Sequence, residues 1–141
     1  MATLDRLIPF SPPDISEEEI KEVAEALRSG WITTGPRTKQ LEKLIANYVG
    51  TEMCVCLNSQ TACAEMALRV LAVTPDDEVI TSAYTYTASA SIIDHIGAKI
   101  VLIDTQKDSF EMDYDALEAA ITEKTKAIIP VDLGGVVCDY D

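Results

Sequence analysis

Met53-Cys54-Val55-Cys56-Leu57-Asn58-Ser59-Gln60-Thr61-Ala62-Cys63-Ala64-Glu65-Met66-Ala67-Leu68 joins an apolar run to a polar turn and then to an almost wholly apolar helix. The run at 53–57 reads as a buried strand. Asn58 and Ser59 are good helix N-caps. Unpaired backbone N–H groups and the positive dipole end of the following helix therefore converge on one small space, and that arrangement suits a phosphate.

From Met53 onward the same alternation repeats. Strands are predicted at 53–57, 78–81, 99–103 and 126–131, with helices at 60–72, 87–96 and 113–123 between them. A βαβαβαβ order specifies an open α/β sheet covered by helices on both faces, a three-layer α/β/α architecture. The helix at 60–72 offers solvent little besides Glu65 and Arg69, one turn apart, so burial inside a larger body is expected. Small residues, Thr87-Ala88-Ser89-Ala90-Ser91, open the next helix and permit close approach of backbone or ligand.

Two amphipathic helices precede this alternation. Ser16-Glu17-Glu18-Glu19 is a capping box, followed by Ile20, Val23, Ala24 and Leu27 at helical spacing and stopped by Gly30. After the turn-rich Trp31-Ile32-Thr33-Thr34-Gly35-Pro36, a second helix carries Leu41, Leu44, Ile45 and Tyr48 and ends at Gly50. At the other end, Val136-Val137-Cys138-Asp139-Tyr140-Asp141 follows a strand with no further helix to cover the sheet. This pattern predicts a piece of a longer protein.

Composition narrows the function classes. The 48% hydrophobic fraction in 141 residues belongs to a globular chain with a real core. Eleven basic residues against 24 acidic ones leave a net charge of -13, which disfavours nucleic acid and anionic membranes as partners. Neither a leader-like start nor a membrane-length apolar run occurs, so the expected compartment is the cytoplasm. Cys54, Cys56, Cys63 and Cys138 match no zinc spacing and read as reduced thiols, so no metal site is expected. His95, the single histidine, falls in the last turn of a helix ended by Gly97, where a cation favours the dipole.

Neither Gly-x-Gly-x-x-Gly nor Gly-x-x-x-x-Gly-Lys occurs, so the cradle after Leu57 serves a phosphate other than that of a dinucleotide or nucleoside triphosphate. Tyr84 and Tyr86 follow the strand Asp77-Glu78-Val79-Ile80-Thr81, at the carboxyl end where open α/β sheets bind ligands. Aromatics in such loops also serve plain packing. Taken with the cradle, they point to a flat ring bearing a phosphate.

Trp31-Ile32-Thr33-Thr34-Gly35-Pro36, Leu57-Asn58-Ser59-Gln60-Thr61-Ala62, Asp77-Glu78-Val79-Ile80-Thr81, Ile96-Gly97-Ala98 and Thr125-Lys126-Ala127-Ile128-Ile129-Pro130-Val131 stand in this order along the chain. From Ile8 onward the chain thereby resembles the DegT/DnrJ/EryC1/StrS family of sugar aminotransferases. The resemblance implies the aspartate aminotransferase type I fold and pyridoxal 5′-phosphate (PLP) as cofactor. It implies transfer of an amino group, usually from glutamate, to a keto group of a nucleotide-linked sugar. Residues 1–36 would be an N-terminal arm and first helix, and 37–141 an incomplete PLP-binding large domain. Carried over, Ser59, Gln60 and Thr61 would hold the cofactor phosphate and Tyr86 would stack on the pyridine ring. Trp31, Thr33 and Thr34 would belong to the substrate loop. A homodimer with shared sites is the implied assembly.

Two parts of the family's machinery, the Lys that carries the cofactor and the Asp that pairs with the pyridinium nitrogen, are expected beyond residue 141. No catalytic residue is therefore assigned in this chain, and the piece alone is expected to be inactive. Lys21, Lys39, Lys43, Lys99, Lys107, Lys124 and Lys126 read as solvated charges, and Asp104 and Asp132 as loop carboxylates. Asp132 and Gly134-Gly135 depart from the family pattern and leave the substrate contacts of that loop open. Two other readings stand beside the aminotransferase: a PLP-dependent sugar dehydratase of the same family, and a non-enzymatic phosphate-binding module of natural length.

Overall fold

The computed structural model describes residues 9–140, so the part of the N-terminal arm at 1–8 lies outside the described residues. The chain divides into two compact units, one ending at Val55 and the other starting at Cys56.

The first unit holds α1 (Glu17–Arg28) and α2 (Pro36–Val49). Ser16 and Glu19 form the predicted capping box at the start of α1. Pro36 opens α2, where a missing N–H costs nothing, and Gly50 closes it in the left-handed conformation. Arg37 of α2 pairs with Glu22 of α1. The apolar stripe of α1 buries none of its residues: Ile20, Val23 and Leu27 are all exposed.

The second unit carries α3 (Gln60–Val70), β1 (Glu78–Ser82), α4 (Ala88–Ile96), β2 (Lys99–Ile103), α5 (Tyr114–Ala120) and β3 (Thr125–Ile129). The three strands are parallel in the order β2-β1-β3. Strand alternation sends Val79, Ile100, Ala127 and Ile129 to one face, where they meet Leu68, Ile92 and Ile93 of α3 and α4. Ile80, Val101 and Ile103 go to the other face, against Met112, Ala116 and Leu117. β1 is buried along its whole length, as the central strand of a covered parallel sheet must be. This is the expected three-layer α/β/α arrangement.

Several elements differ from the sequence reading. Residues 53–57 form no strand: the sheet among the described residues consists of β2, β1 and β3, and this segment takes no part in its ladders. α3 ends at Val70 and buries only Leu68, with Met66, Val70 and Leu71 exposed, so these residues do not supply the enclosing body that its composition calls for. α5 stops at Ala120 instead of running to 123. Thr122 is drawn into a turn there, its N–H donating to Thr125 Oγ1 at 2.9 Å and its hydroxyl to Glu78 Oε2 at 2.9 Å. β3 then ends before Pro130, which has no N–H for the ladder.

Candidate functional site

Ser59 is the N-cap of α3, in extended backbone, and its Oγ accepts from Ala62 N at 3.1 Å. Its carbonyl accepts from Cys63 N, which starts the helical ladder. Helix geometry leaves the N–H groups of Gln60 and Thr61 without an intrahelical partner. The Ser59 hydroxyl, having accepted one bond, still has its own proton to donate. Two backbone donors and a hydroxyl donor thus gather at the positive end of an eleven-residue helix.

Tyr86 lies in the loop that leaves the carboxyl end of β1, and the residue is 81% exposed. The loop is held at both ends. Ala83 N donates to Ile103 O at 2.7 Å, and Ser89 N to Tyr86 O at 3.2 Å. Between these ends Tyr84 stacks on Phe110 from the loop after β2, with centroids 5.6 Å apart and planes 11° from parallel. Tyr84 is legible in the sequence from its place after β1, whereas Phe110 is a lone aromatic in a polar loop and no motif marks it.

In the first unit, Trp31 Nε1 donates to Thr34 O at 3.1 Å. Its indole occupies the place where a side chain at Gly35 would sit. Trp31 and Thr33 line a groove of about 910 Å³ together with Val23, Leu41 and Leu44. Thr34 thus contributes its carbonyl oxygen to the loop's own structure.

Asp132, Asp104, His95 and Lys99, also singled out in the sequence, have structural partners. Asp132 Oδ1 accepts from Cys138 N at 2.9 Å and Tyr140 Oη at 3.0 Å, and these bonds, the Cys138 one foremost, lower its carboxyl below the ordinary range. Burial pushes the Cys138 thiol up, so it is no activated nucleophile. Asp104 Oδ1 accepts from Thr105 N. His95 lies in the last turn of α4, before the left-handed Gly97, as its spacing predicts, and its Nδ1 lies 3.1 Å from Glu65 Oε2 of α3. Arg69 grips the other Glu65 oxygen, and the two partners, Arg69 first, hold this carboxyl low. Lys99 is a correction: it is not simply solvated but donates to the buried Glu78 at 2.7 Å. Among the described residues no group of three or more His, Cys, Asp or Glu side chains could hold a metal ion. No helix there is long and apolar enough to cross a membrane.

Comparison with known proteins places this geometry. The spore coat polysaccharide biosynthesis protein SpsC of Bacillus subtilis is 44% identical over 137 residues, which cover 97% of this chain and 35% of SpsC. The UDP-4-amino-4-deoxy-L-arabinose–oxoglutarate aminotransferase of Shewanella sediminis is 42% identical over the same length, again 35% of that protein. Spr1654 of Streptococcus pneumoniae, described as a sugar aminotransferase and solved in apo, PLP and PMP forms, superposes with a TM-score of 0.90 at 65% identity. The superposition with the PLP form covers 94% of this chain and 34% of that one. The chain therefore spans about a third of the length of the relatives it matches. Its sheet is part of the type I PLP aminotransferase domain. The family model for the DegT/DnrJ/EryC1/StrS aminotransferases matches residues 13–141, and the chain belongs to that family.

Proposed function

We propose that the full-length protein is a PLP-dependent aminotransferase that moves an amino group from an amino acid, glutamate by preference, to a keto group of a nucleotide-linked sugar. The observation that carries this reading is the N-terminus of α3. Ser59 Oγ both caps the helix and keeps a proton to donate, while the N–H groups of Gln60 and Thr61 point along the dipole. A phosphate dianion fits these donors, and the exposed Tyr86 ring at the end of β1 suits a flat pyridine. PLP supplies, when bound, the electron sink that this exchange of amino groups needs. The solved PLP and PMP forms of Spr1654 support the cofactor, and the oxoglutarate aminotransferase of S. sediminis supports the donor and sugar classes.

In this reading Ser59, Gln60 and Thr61 bind, Tyr86 orients, and Trp31, Thr33 and Thr34 face the sugar substrate. Residues 37–141 form part of the PLP-binding large domain, with 1–36 as its arm. The Lys that carries the cofactor and the Asp that pairs with its ring nitrogen belong to the rest of the protein, a cytoplasmic homodimer. The chain by itself then holds PLP only weakly and reversibly.

The test is spectroscopic. Purified full-length protein with PLP should show a visible absorption band that glutamate bleaches and a keto sugar nucleotide restores, with an amino sugar as product. Loss of a sugar hydroxyl without amine transfer would put the dehydratase in its place. Failure to bind PLP at all would leave a phosphate-binding module.

A further inference from the structure

We propose that Tyr84 and Phe110 form an aromatic brace that sets the direction of Tyr86, making them positioning residues for the cofactor ring. The inference rests on the PLP reading above and names residues which that reading does not use.

Phe110 stands on a rigid support. The loop after β2 closes on itself through an antiparallel bridge between Thr105 and Met112. Gln106 N donates to Glu111 O at 2.9 Å, Gln106 Nε2 to Met112 O at 3.2 Å, and Glu111 N to Ser109 Oγ at 3.1 Å. Met112 anchors the base of this loop in the core beside Ile80 and Ile103. Phe110 therefore projects from a segment fixed by the sheet itself.

The loop after β1 has no such internal ladder. Its bonds lie at its ends, Ala83 N to Ile103 O and Ser89 N to Tyr86 O, with one bond from Tyr84 N to Ser82 Oγ. In its middle the stacked ring of Tyr84 is the contact that reaches across to a neighbouring element. Tyr86 follows two residues later. A residue that is 81% exposed has little packing of its own to hold its ring, so the ring's direction comes from the backbone that bears it. Both braced rings remain about half exposed, so the core does not depend on them.

The experiment uses the full-length protein and PLP itself. Phe110→Ala should weaken PLP binding about five-fold, the scale of one lost aromatic pair. It should also lower the visible circular dichroism of the bound cofactor, which reports how firmly the ring is held. Phe110→Tyr should restore both. Phe110→Leu keeps apolar bulk without a flat face, and should retain the wild-type melting temperature while behaving like Phe110→Ala in the dichroism. Unchanged affinity and dichroism in folded Phe110→Ala or Phe110→Leu protein would overturn the brace, as would rescue by Leu equal to rescue by Tyr. A wild-type protein that binds no PLP would instead overturn the cofactor reading.

Discussion

Glu78 and Lys99 face each other as the first register pair of β1 and β2, with Lys99 Nζ 2.7 Å from Glu78 Oε1. The carboxylate is buried while the ammonium reaches solvent, and Thr122 donates to the second oxygen. One side chain thereby ties β2 and the turn that leads into β3 to the start of β1.

The pH dependence of stability follows from this pair. Lys99 first, and Thr122 second, hold the Glu78 carboxyl below its ordinary value against the opposing effect of burial. A carboxyl with a lowered folded pKa stabilises fully above its unfolded value, and that contribution is lost as pH falls below about 4.5 and through the folded value. Glu78→Gln should lower the urea midpoint at neutral pH, with the gap to wild type closing on acidification. Glu65, Asp77 and Asp132 are also lowered and add their own acid sensitivity to both proteins, so the difference between the two is the quantity to read.

Ser59 has two roles that substitutions can separate. Ser59→Ala removes the cap on Ala62 N–H and should cost about 1 kcal/mol of stability as well as about ten-fold in PLP affinity. Ser59→Asp keeps an N-cap of equal quality but sets a negative charge against the phosphate. Thermal melts should place it near wild type, while a PLP titration should show a larger loss than for Ser59→Ala.

Gly35 owes its identity to Trp31. A Cβ there would lie 2.6 Å from Trp31 Cδ1 and closer still to Nε1, so Gly35→Ala must expel the indole. The bond from Nε1 to Thr34 O breaks with it, at about 0.5–1.5 kcal/mol. Trp31 is the single tryptophan of the chain, so in a full-length protein whose other tryptophans are replaced its emission reports this directly. A red shift with easier quenching by acrylamide is expected.

Ile93 is fully buried between α4 and the sheet, in one cluster with Leu68 and Val79. Ile93→Ala should cost about 2–5 kcal/mol and Ile93→Val about 0.5–1.5 kcal/mol in denaturant unfolding. Equal, small effects would show that α4 is not seated on the sheet as described.

The sequence was most legible where one residue type has one physical use. The capping box at Ser16 and Glu19, the left-handed Gly50 and Gly97, and the cap at Ser59 all stand where local chemistry puts them. The short apolar runs of β1 and β2 were legible as well, because strands of a parallel sheet lying under helices are rich in Val, Ile and Leu. Features made by distant partners were less so. Residues 53–57 have the composition of a strand but no place in the sheet among the described residues. The shortening of α5 depends on Glu78, 44 positions before Thr122. Lys99 looked like one charge among many until the register of β1 and β2 set it opposite a carboxylate. In the candidate site, the helix N-terminus and Tyr86 could be read from spacing, whereas the Tyr84–Phe110 stack joins two loops whose proximity only the sheet order creates.

The polar residues inside β1 give the folding chain a check against misalignment. Glu78 finds Lys99 and Thr122 on the α5 side of the sheet, and Thr81 donates its hydroxyl to Ile129 O at 3.0 Å on the other. A slip by one residue would exchange the two faces, driving a carboxylate toward Leu68 and Ile93 and leaving a buried hydroxyl unpaired. An all-apolar β1 could slide along its neighbours at little cost. With Glu78 and Thr81 in place, a shifted alignment is penalised before the flanking helices close over it.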